Sequence, residues 1–287
     1  MSSPARAALA DGRPHFQHGP IDLVLEAHGA PHEVRAAYEQ AWRRFQDILE
    51  TLAGELALLR APLGTAYPLA RGPVARRMVA AVWPHRERFV TPMAAVAGAV
   101  AEEVLEAMVA GRRLTRAYVN DGGDIALHLT PRQRFEAGVV GHPQRPALDA
   151  TFRVSWEDPV RGIATSGWRG RSQSLGIADA VTVLADTAAR ADVAATLVAN
   201  AVNAEHPAIR RIPAREVKED SDLGDLPVTV AVGALPPEAV ASALDSGLRA
   251  ARDMQERGLL AAAFLSLQGE TRATGSLGAY GRLSKPR

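Results

Sequence analysis

Three polar side chains, Asp192, Thr196 and Asn200, recur every four residues through an otherwise apolar, alanine-rich stretch. On a helix they share one face. A carboxylate and a hydroxyl one turn apart can jointly contact a hard cation. Mg2+ takes oxygen ligands at about 2.1 Å and completes its octahedron with waters and substrate phosphates, so two protein side chains suffice. The competing reading is an i,i+4 hydrogen bond packed against a sheet, which makes the stripe a buried polar network.

Two other segments offer groups of a suitable kind. Ala164-Thr165-Ser166-Gly167-Trp168-Arg169, with Arg171 and Ser172 beyond, places hydroxyls, a flat aromatic and two guanidiniums directly after a strand. Arginine forks suit phosphate oxygens, and Trp168 can stack on a flat heterocycle. A solvated loop with an anchoring tryptophan uses the same residues. Asn120-Asp121-Gly122-Gly123-Asp124 exposes backbone N–H groups and lacks Cβ atoms at two positions, which suits a phosphate or a ring edge and equally suits a plain hairpin. Gly98 falls inside a helix expected over 91–110, where it costs ~1 kcal/mol relative to alanine. Close approach by a backbone or ligand would explain it, and so would helix packing.

Other constellations fall away. The 8 histidines are scattered, and His15/His18 or His28/His32 lack a third clustered ligand for zinc. No Gly-x-Ser-x-Gly elbow, Gly-x-Gly-x-x-Gly turn or Walker loop occurs. The acidic run 219–225 lacks the terminal glutamate of a calcium loop and reads as a solvated connector.

These groups need elements to hold them. Residues 21–27 alternate as a strand, and Pro31 opens a long helix in which Val34, Tyr38, Ala41, Phe45, Ile48, Leu52, Leu56 and Leu59 form one apolar stripe. A short helix follows over 74–82. Thr91 and Pro92 then start a helix that Gly111 ends, with Val96, Val100, Val104 and Met108 on its inner row. Strands are expected over 114–119 and 125–129, near 135–140, 149–156 and 161–166, and at 180–185. Asp186 or Thr187 can cap the helix carrying Asp192. A strand at 227–232, a helix from Pro236/Pro237 to Arg257 and a strand at 259–267 complete the chain. Strands cluster in the middle, so the expected class is α+β: one domain with a mixed, mostly antiparallel sheet flanked by helices. Its bounds are set at 15–269, with flexible ends at 1–14 and 270–287, where polar residues, proline and glycine leave little apolar periodicity.

Composition excludes several classes. Of 287 residues, 47% are hydrophobic and 23% charged, enough for a sizeable core. Lys+Arg 33 against Asp+Glu 32 leaves a formal net charge of +1, so no global field recommends nucleic acid. The absence of cysteine excludes disulfides, thiolate zinc sites and a cysteine nucleophile. The first fifteen residues lack the apolar run of a signal peptide, and no stretch of about 18 apolar residues is free of charge, so neither membrane nor export is expected and the reading is cytoplasmic.

Taken in order, the motifs resemble a known superfamily. An Ala-x-x-Gly helix within 94–105, Val119-Asn120-x-Gly122-Gly123-Asp124-Ile125, Ala164-Thr165-Ser166-Gly167, Val181-Thr182-Val183 and Ala191-Asp192-x-x-x-Thr196 are similar to the ApbE-like proteins. The resemblance covers roughly 90–200 as short motifs. The whole chain, including 15–23, 89–95 and 161–179, looks like the bacterial and archaeal branch related to ApbE. Characterised ApbE-like members are Mg2+-dependent enzymes that bind FAD and transfer FMN to a protein threonine, or hydrolyse FAD.

Carried onto this chain, the resemblance implies that Asp192 and Thr196 are the side-chain metal ligands and that a backbone carbonyl near Val96 is the third. It implies that Gly122, Gly123 and Asp124 form the flavin-side turn, and that Thr165, Ser166 and Gly167 line the nucleotide, with Arg169 or Arg171 assisting at phosphate. Two departures stand out. Ala97-Gly98 replaces the usual Lys-Gly, and the segment between the Ser-Gly strand and the Val-Thr-Val strand is shortened to 174–179 without histidine. The expected function is flavin-nucleotide binding with Mg2+, with FMN transfer from FAD to an acceptor protein or FAD hydrolysis as the chemistry. The alternatives are an accessory protein that binds a flavin, pterin or similar phosphorylated ligand without catalysis, and an interaction protein whose polar stripe is structural.

Overall fold

Elements change along the chain where the apolar period switches between two residues and about 3.6. In the computed structural model, which describes residues 3–139, 150–274 and 280–283, the order opens with β1 (Ala5–Ala8), β2 (Pro14–His18) and β3 (Ile21–Gly29). Helices α1 (Pro31–Phe45), α2 (Ile48–Ala53), α3 (Leu56–Leu59), α4 (Pro73–Val82) and α5 (Val96–Val109) follow. Strands β4 (Leu114–Asp121), β5 (Asp124–Leu129), β6 (Arg134–Val139), β7 (Ala150–Ser155), β8 (Gly162–Ser166) and β9 (Ala180–Ala185) lead into α6 (Ala188–Ala201). The chain closes with β10 (Ile209–Pro213), α7 (Ala214–Val217), β11 (Pro227–Val232), α8 (Pro237–Glu256), β12 (Ala262–Leu267), β13 (Glu270–Ala273) and β14 (Gly281–Leu283). The class is α+β with a mostly antiparallel sheet, as the element pattern led us to expect.

Contacts group the described residues into two compact units. The first runs to Arg134 and adds Ser155–Ala164 and Asp186–Val193; the second takes the remaining described segments. Strand β8 and helix α6 thus each begin in the first unit and end in the second.

In the first unit, β1, β2, β3, β4, β5 and the start of β8 pair in that order, each antiparallel to its neighbour. Strict alternation along β3 sends Ile21, Leu23, Leu25 and Ala27 inward. Helix α1 supplies Ala37, Ala41 and Phe45 to that core, and α5 supplies Val100, Val104 and Met108. Helix α5 is buried over most of its circumference, which its nearly all-apolar sequence requires.

The single long helix expected over 31–59 is three. Asp47 heads α2 at φ −110°, outside helical geometry, and Gly54 follows it, two residue types that favour turns over helix interiors. Past the break Ile48 and Leu52 remain buried, and before it Trp42 and Phe45 cluster with Phe16, the ring centroids lying 5.2–6.1 Å apart. Of the ends that composition suggested are loose, residues 1–2, 275–279 and 284–287 lie outside the described residues, and strands occur in the described parts. Residues 5–8 form β1, which is exposed on both faces and owes its strand to backbone pairing with β2. Arg6 anchors it to Glu39 and to the face of Trp42.

In the second unit, β9 is buried along its whole length and pairs antiparallel with β12, which pairs in turn with β13. Gln268 and Gly269 make the two-residue turn between β12 and β13, with φ +48° and +86°. Helix α8 lays Val240, Ala243, Leu244, Gly247, Ala251 and Met254 on this sheet, and Gly258 at φ +69° ends it. Phe152 of β7 meets Phe264 of β12 edge to face at 6.5 Å. Strand β10, which carries two arginines and no clear alternation, escaped sequence reading and is held by pairing with β11.

Candidate functional site

The first turn of α6 is the most tightly built place in the first unit. A Cβ on Gly98 of α5 would lie 2.3 Å from the Ala188 carbonyl oxygen and 2.7 Å from the Ala189 nitrogen. A Cβ on Gly162 of β8 would lie 2.2 Å from the Thr187 carbonyl carbon and oxygen. Both glycines are therefore demanded by backbone contact, and the cost of Gly98 inside a helix is explained by helix packing. Thr187 is the cap: its hydroxyl accepts the Arg190 N–H at 3.3 Å, while Asp186 pairs with the Arg190 guanidinium at 2.6 Å.

This contact sets the position of Asp192. Its Oδ2 accepts the Gly98 N–H at 3.0 Å, so the carboxylate sits against the first turn of α5, which begins at Val96. Burial pushes the Asp192 carboxyl up to about 7, and the negative charge of Asp121 adds to that; hydrogen bonds from the Gly98 and Ala97 N–H groups oppose it. Asp192 keeps some accessible surface, yet its carboxylate is enclosed enough for desolvation to dominate. Asp121 is itself 6% exposed and accepts the Asp22 N–H at 3.3 Å. Sequence reasoning treated Asp121 as a turn residue; its place at the last pair of the β4–β5 ladder, opposite Asp124, is what turns it inward.

Between those two aspartates the chain reverses through Gly122 and Gly123, at φ +63° and +118°. Gly123 has no atom within 4 Å of a would-be Cβ, and its N–H donates to Asn120 Oδ1 at 2.8 Å. The turn is thus both a two-residue hairpin and an open surface without side chains.

Thr196 lies one turn beyond Asp192 on α6, half-buried as Asp192 is. Asn200, the third residue of the stripe, serves the structure instead. Its Oδ1 accepts the Leu175 N–H at 2.9 Å and the Ser174 hydroxyl at 3.3 Å. A Cβ on Gly176 would lie 2.1 Å from the Ala199 oxygen. The shortened segment 174–179 is therefore strapped to the end of α6. For Asn200 the buried-network reading is the right one.

In the second unit, Thr165 bonds Thr182 across to β9 at 2.9 Å, hydroxyl to hydroxyl, and a Cβ on Gly167 would lie 2.5 Å from the Asp179 oxygen. Asp179 is a hub that sequence reasoning missed. Its Oδ1 accepts Arg169 Nε at 2.7 Å and Trp168 Nε1 at 3.2 Å, and its Oδ2 accepts the Gln268 N–H at 2.6 Å. The Arg169 guanidinium lies 4.3 Å from the Trp168 ring centroid. One face of Trp168 is thus covered by its own neighbour. Arg169 is half-buried and Arg171 is exposed.

The Asp192 carboxylate, which accepts the Gly98 N–H, is an oxygen donor of the kind a hard cation takes, and Thr196 carries a hydroxyl one turn further along the same helix. Among the described residues no group of three His, Asp, Glu or Cys converges as a metal cluster.

A family model described as AbpE bacteria matches residues 6–273. The chain belongs to this family. It is the ApbE-like grouping that the ordered motifs indicated. Among curated relatives, the UPF0280 protein of Methanopyrus kandleri is 36% identical over 139 residues, 48% of this chain and 53% of that protein. The UPF0280 protein of Methanosarcina acetivorans is 38% identical over 131 residues, 45% and 49% of the two chains. The chain spans about half the length of the curated relatives it matches. Among solved structures, the chain is similar to the ApbE protein of Thermotoga maritima at TM-score 0.46 and 12% identity, over 98% of this chain and 100% of that one. Among the described residues of this AbpE-family chain, no helix is long and apolar enough to cross a membrane.

Proposed function

We propose that this AbpE-family protein binds a flavin nucleotide together with Mg2+ and breaks the pyrophosphate of FAD. The observation that carries the reading is the enclosed Asp192 carboxylate, fixed by the Gly98 amide at the start of α5 beside a second buried carboxylate, Asp121. Asp192, Thr196 and the Val96 carbonyl would hold the metal, which when bound supplies positive charge to pyrophosphate oxygens.

The protein's own residues do the rest. Gly122 and Gly123 present bare backbone, so a ring edge or phosphate can approach without meeting a Cβ. Thr165 and Ser166 offer hydroxyls, and Arg169 and Arg171 offer guanidinium N–H groups to phosphate. Asp179 fixes Arg169 in one orientation, which spares the entropy of ordering it on binding. Attack by a protein threonine hydroxyl on the FMN phosphorus forms a threonine–FMN phosphoester, breaks the phosphoanhydride, and releases AMP and a proton. Attack by water gives FMN and AMP. The acceptor threonine belongs to a partner protein, and the protein acts in the cytoplasm.

Ala97 and the histidine-free strap at 174–179 favour a second reading, in which the protein carries a flavin or pterin nucleotide as an accessory without cleaving it. Thermal unfolding with FAD, Mg2+ or EDTA, on wild type and Asp192→Ala, separates the two. A ligand at 100 times its dissociation constant adds about 2.7 kcal/mol, a shift of several degrees in a protein of this size. An unmoved melting curve defeats flavin binding altogether. Stabilisation by FAD without release of AMP selects the accessory role.

A further inference from the structure

Glu102 stands one helical turn beyond Gly98 on α5 and reaches the same turn of α6. Its Oε1 accepts the Ala189 N–H at 2.7 Å, taking one of the helix-start donors that α6 cannot satisfy internally. Its Oε2 faces Arg77 of α4 at 3.4 Å, and Arg77 also donates from Nε to Glu103 at 3.0 Å, so Glu102 is braced from behind. Glu102 retains 15% of its side-chain surface, so its carboxylate is largely withdrawn from water and committed to these partners.

Helix α5 therefore grips α6 at two levels. Gly98 provides the space for contact and the N–H for Asp192; Glu102, four residues on, accepts from Ala189. Three residues separate Ala189 from Asp192 along α6, so the two grips fix both the axial position and the rotation of that turn. The cap on Thr187 satisfies Arg190 within the same segment and ties α6 to nothing else.

From this we propose that Glu102 is a positioning residue for the Asp192 metal site: by capping Ala189 it holds the first turn of α6 in register with α5, so that Asp192 meets the helix start at Val96. The inference rests on the metal reading given above and assigns that site its outer support. Such supports change metal affinity ten- to hundredfold when removed. A residue that merely stabilised the fold would change unfolding and leave the affinity of the folded protein alone.

The test is a Mn2+ titration of the full chain at pH 8, following free Mn2+ by electron paramagnetic resonance, with wild type, Glu102→Ala, Glu102→Gln and Thr187→Ala. Circular dichroism checks that each variant is folded at the titration temperature. The inference expects Glu102→Ala to weaken Mn2+ binding tenfold or more, Glu102→Gln to restore most of it because an amide oxygen still accepts from Ala189, and Thr187→Ala to stay within about threefold of wild type. If wild type binds Mn2+ and Glu102→Ala binds it as tightly, the inference is overturned while the metal reading stands. Equal losses in Glu102→Ala and Thr187→Ala also overturn it, since general fraying of α6 would then suffice. If wild type binds no Mn2+, the metal reading falls and takes the inference with it.

Discussion

Gly98→Ala is the sharpest probe of the contact between α5 and α6. The added methyl would sit 2.3 Å from the Ala188 oxygen, 2.5 Å from the Ala188 carbonyl carbon and 2.7 Å from the Ala189 nitrogen. All three are backbone atoms, so no side-chain rotation relieves the overlap. Restoring ordinary contact moves α6 away by about 1 Å, which stretches the Gly98–Asp192 bond from 3.0 Å to about 4 Å, past hydrogen-bonding range. Overpacking costs ~1–3 kcal/mol, and loss of a hydrogen bond to a carboxylate costs ~1.5–3 kcal/mol. Alanine's better helix propensity offsets ~1 kcal/mol. The net loss is about 1.5–5 kcal/mol, or roughly 3–15 °C in Tm for a chain of this length. Differential scanning calorimetry of Gly98→Ala beside Gly64→Ala provides the measurement, because a Cβ at Gly64 meets nothing within 4 Å. A Gly98→Ala protein that melts at or above wild type, as helix propensity alone would have it, refutes the argument.

Two further outcomes follow from buried carboxylates. Asp192 titrates near 7 in the fold against 3.8 when unfolded, so the folded state binds more protons between these values and stability falls as pH rises through them. In EDTA, Asp192→Asn should therefore leave stability near pH 4 almost unchanged and raise it by up to about 4 kcal/mol at pH 8, read by urea denaturation across that range; an equal effect at both pH values contradicts the burial of Asp192. Asp179→Ala removes the acceptor for Arg169, Trp168 and the Gln268 amide. It should cost about 2–3 kcal/mol and shift tryptophan emission to the red, whereas Asp179→Asn keeps an acceptor oxygen and loses less. Emission and stability identical to wild type in Asp179→Ala would remove its role as a hub.

The elements were legible wherever local chemistry and packing agree. Pro237 at the start and Gly258 after the end bracket α8, and Gly122-Gly123 between alternating runs mark the β4–β5 turn. Where a distant partner decides, the sequence was silent. Nothing near Ala5–Ala8 announces a strand, because its partner is β2 and both its faces are exposed. The break at Asp47, by contrast, is marked locally by Asp47 and Gly54, but the apolar stripe through 31–59 runs in phase across it and masks them. The site shows the same division. Spacing drew attention to Asp192 and Thr196, and Gly98 stood out as a glycine inside a helix, whereas Gly162, equally required by backbone contact, carried no such signal. Asp121, Glu102 and Asp179 were not visible either, since each acts on a residue between 10 and 99 positions away and carries no spacing of its own.

The turn at Gln268 gains a particular meaning from Asp179. A non-glycine residue at φ +48° is held in a conformation costing about 1 kcal/mol, at a hairpin tip where amides ordinarily exchange with solvent almost at once. Here the Gln268 N–H ends on a buried carboxylate, while its side chain accepts from the Leu235 N–H at 3.1 Å and donates to the Gly233 oxygen at 2.7 Å. Deuterium will reach that amide when the Asp179 hub opens, and fraying of the tip alone will not suffice. A single surface-turn amide thus becomes a clock for the opening of the second unit.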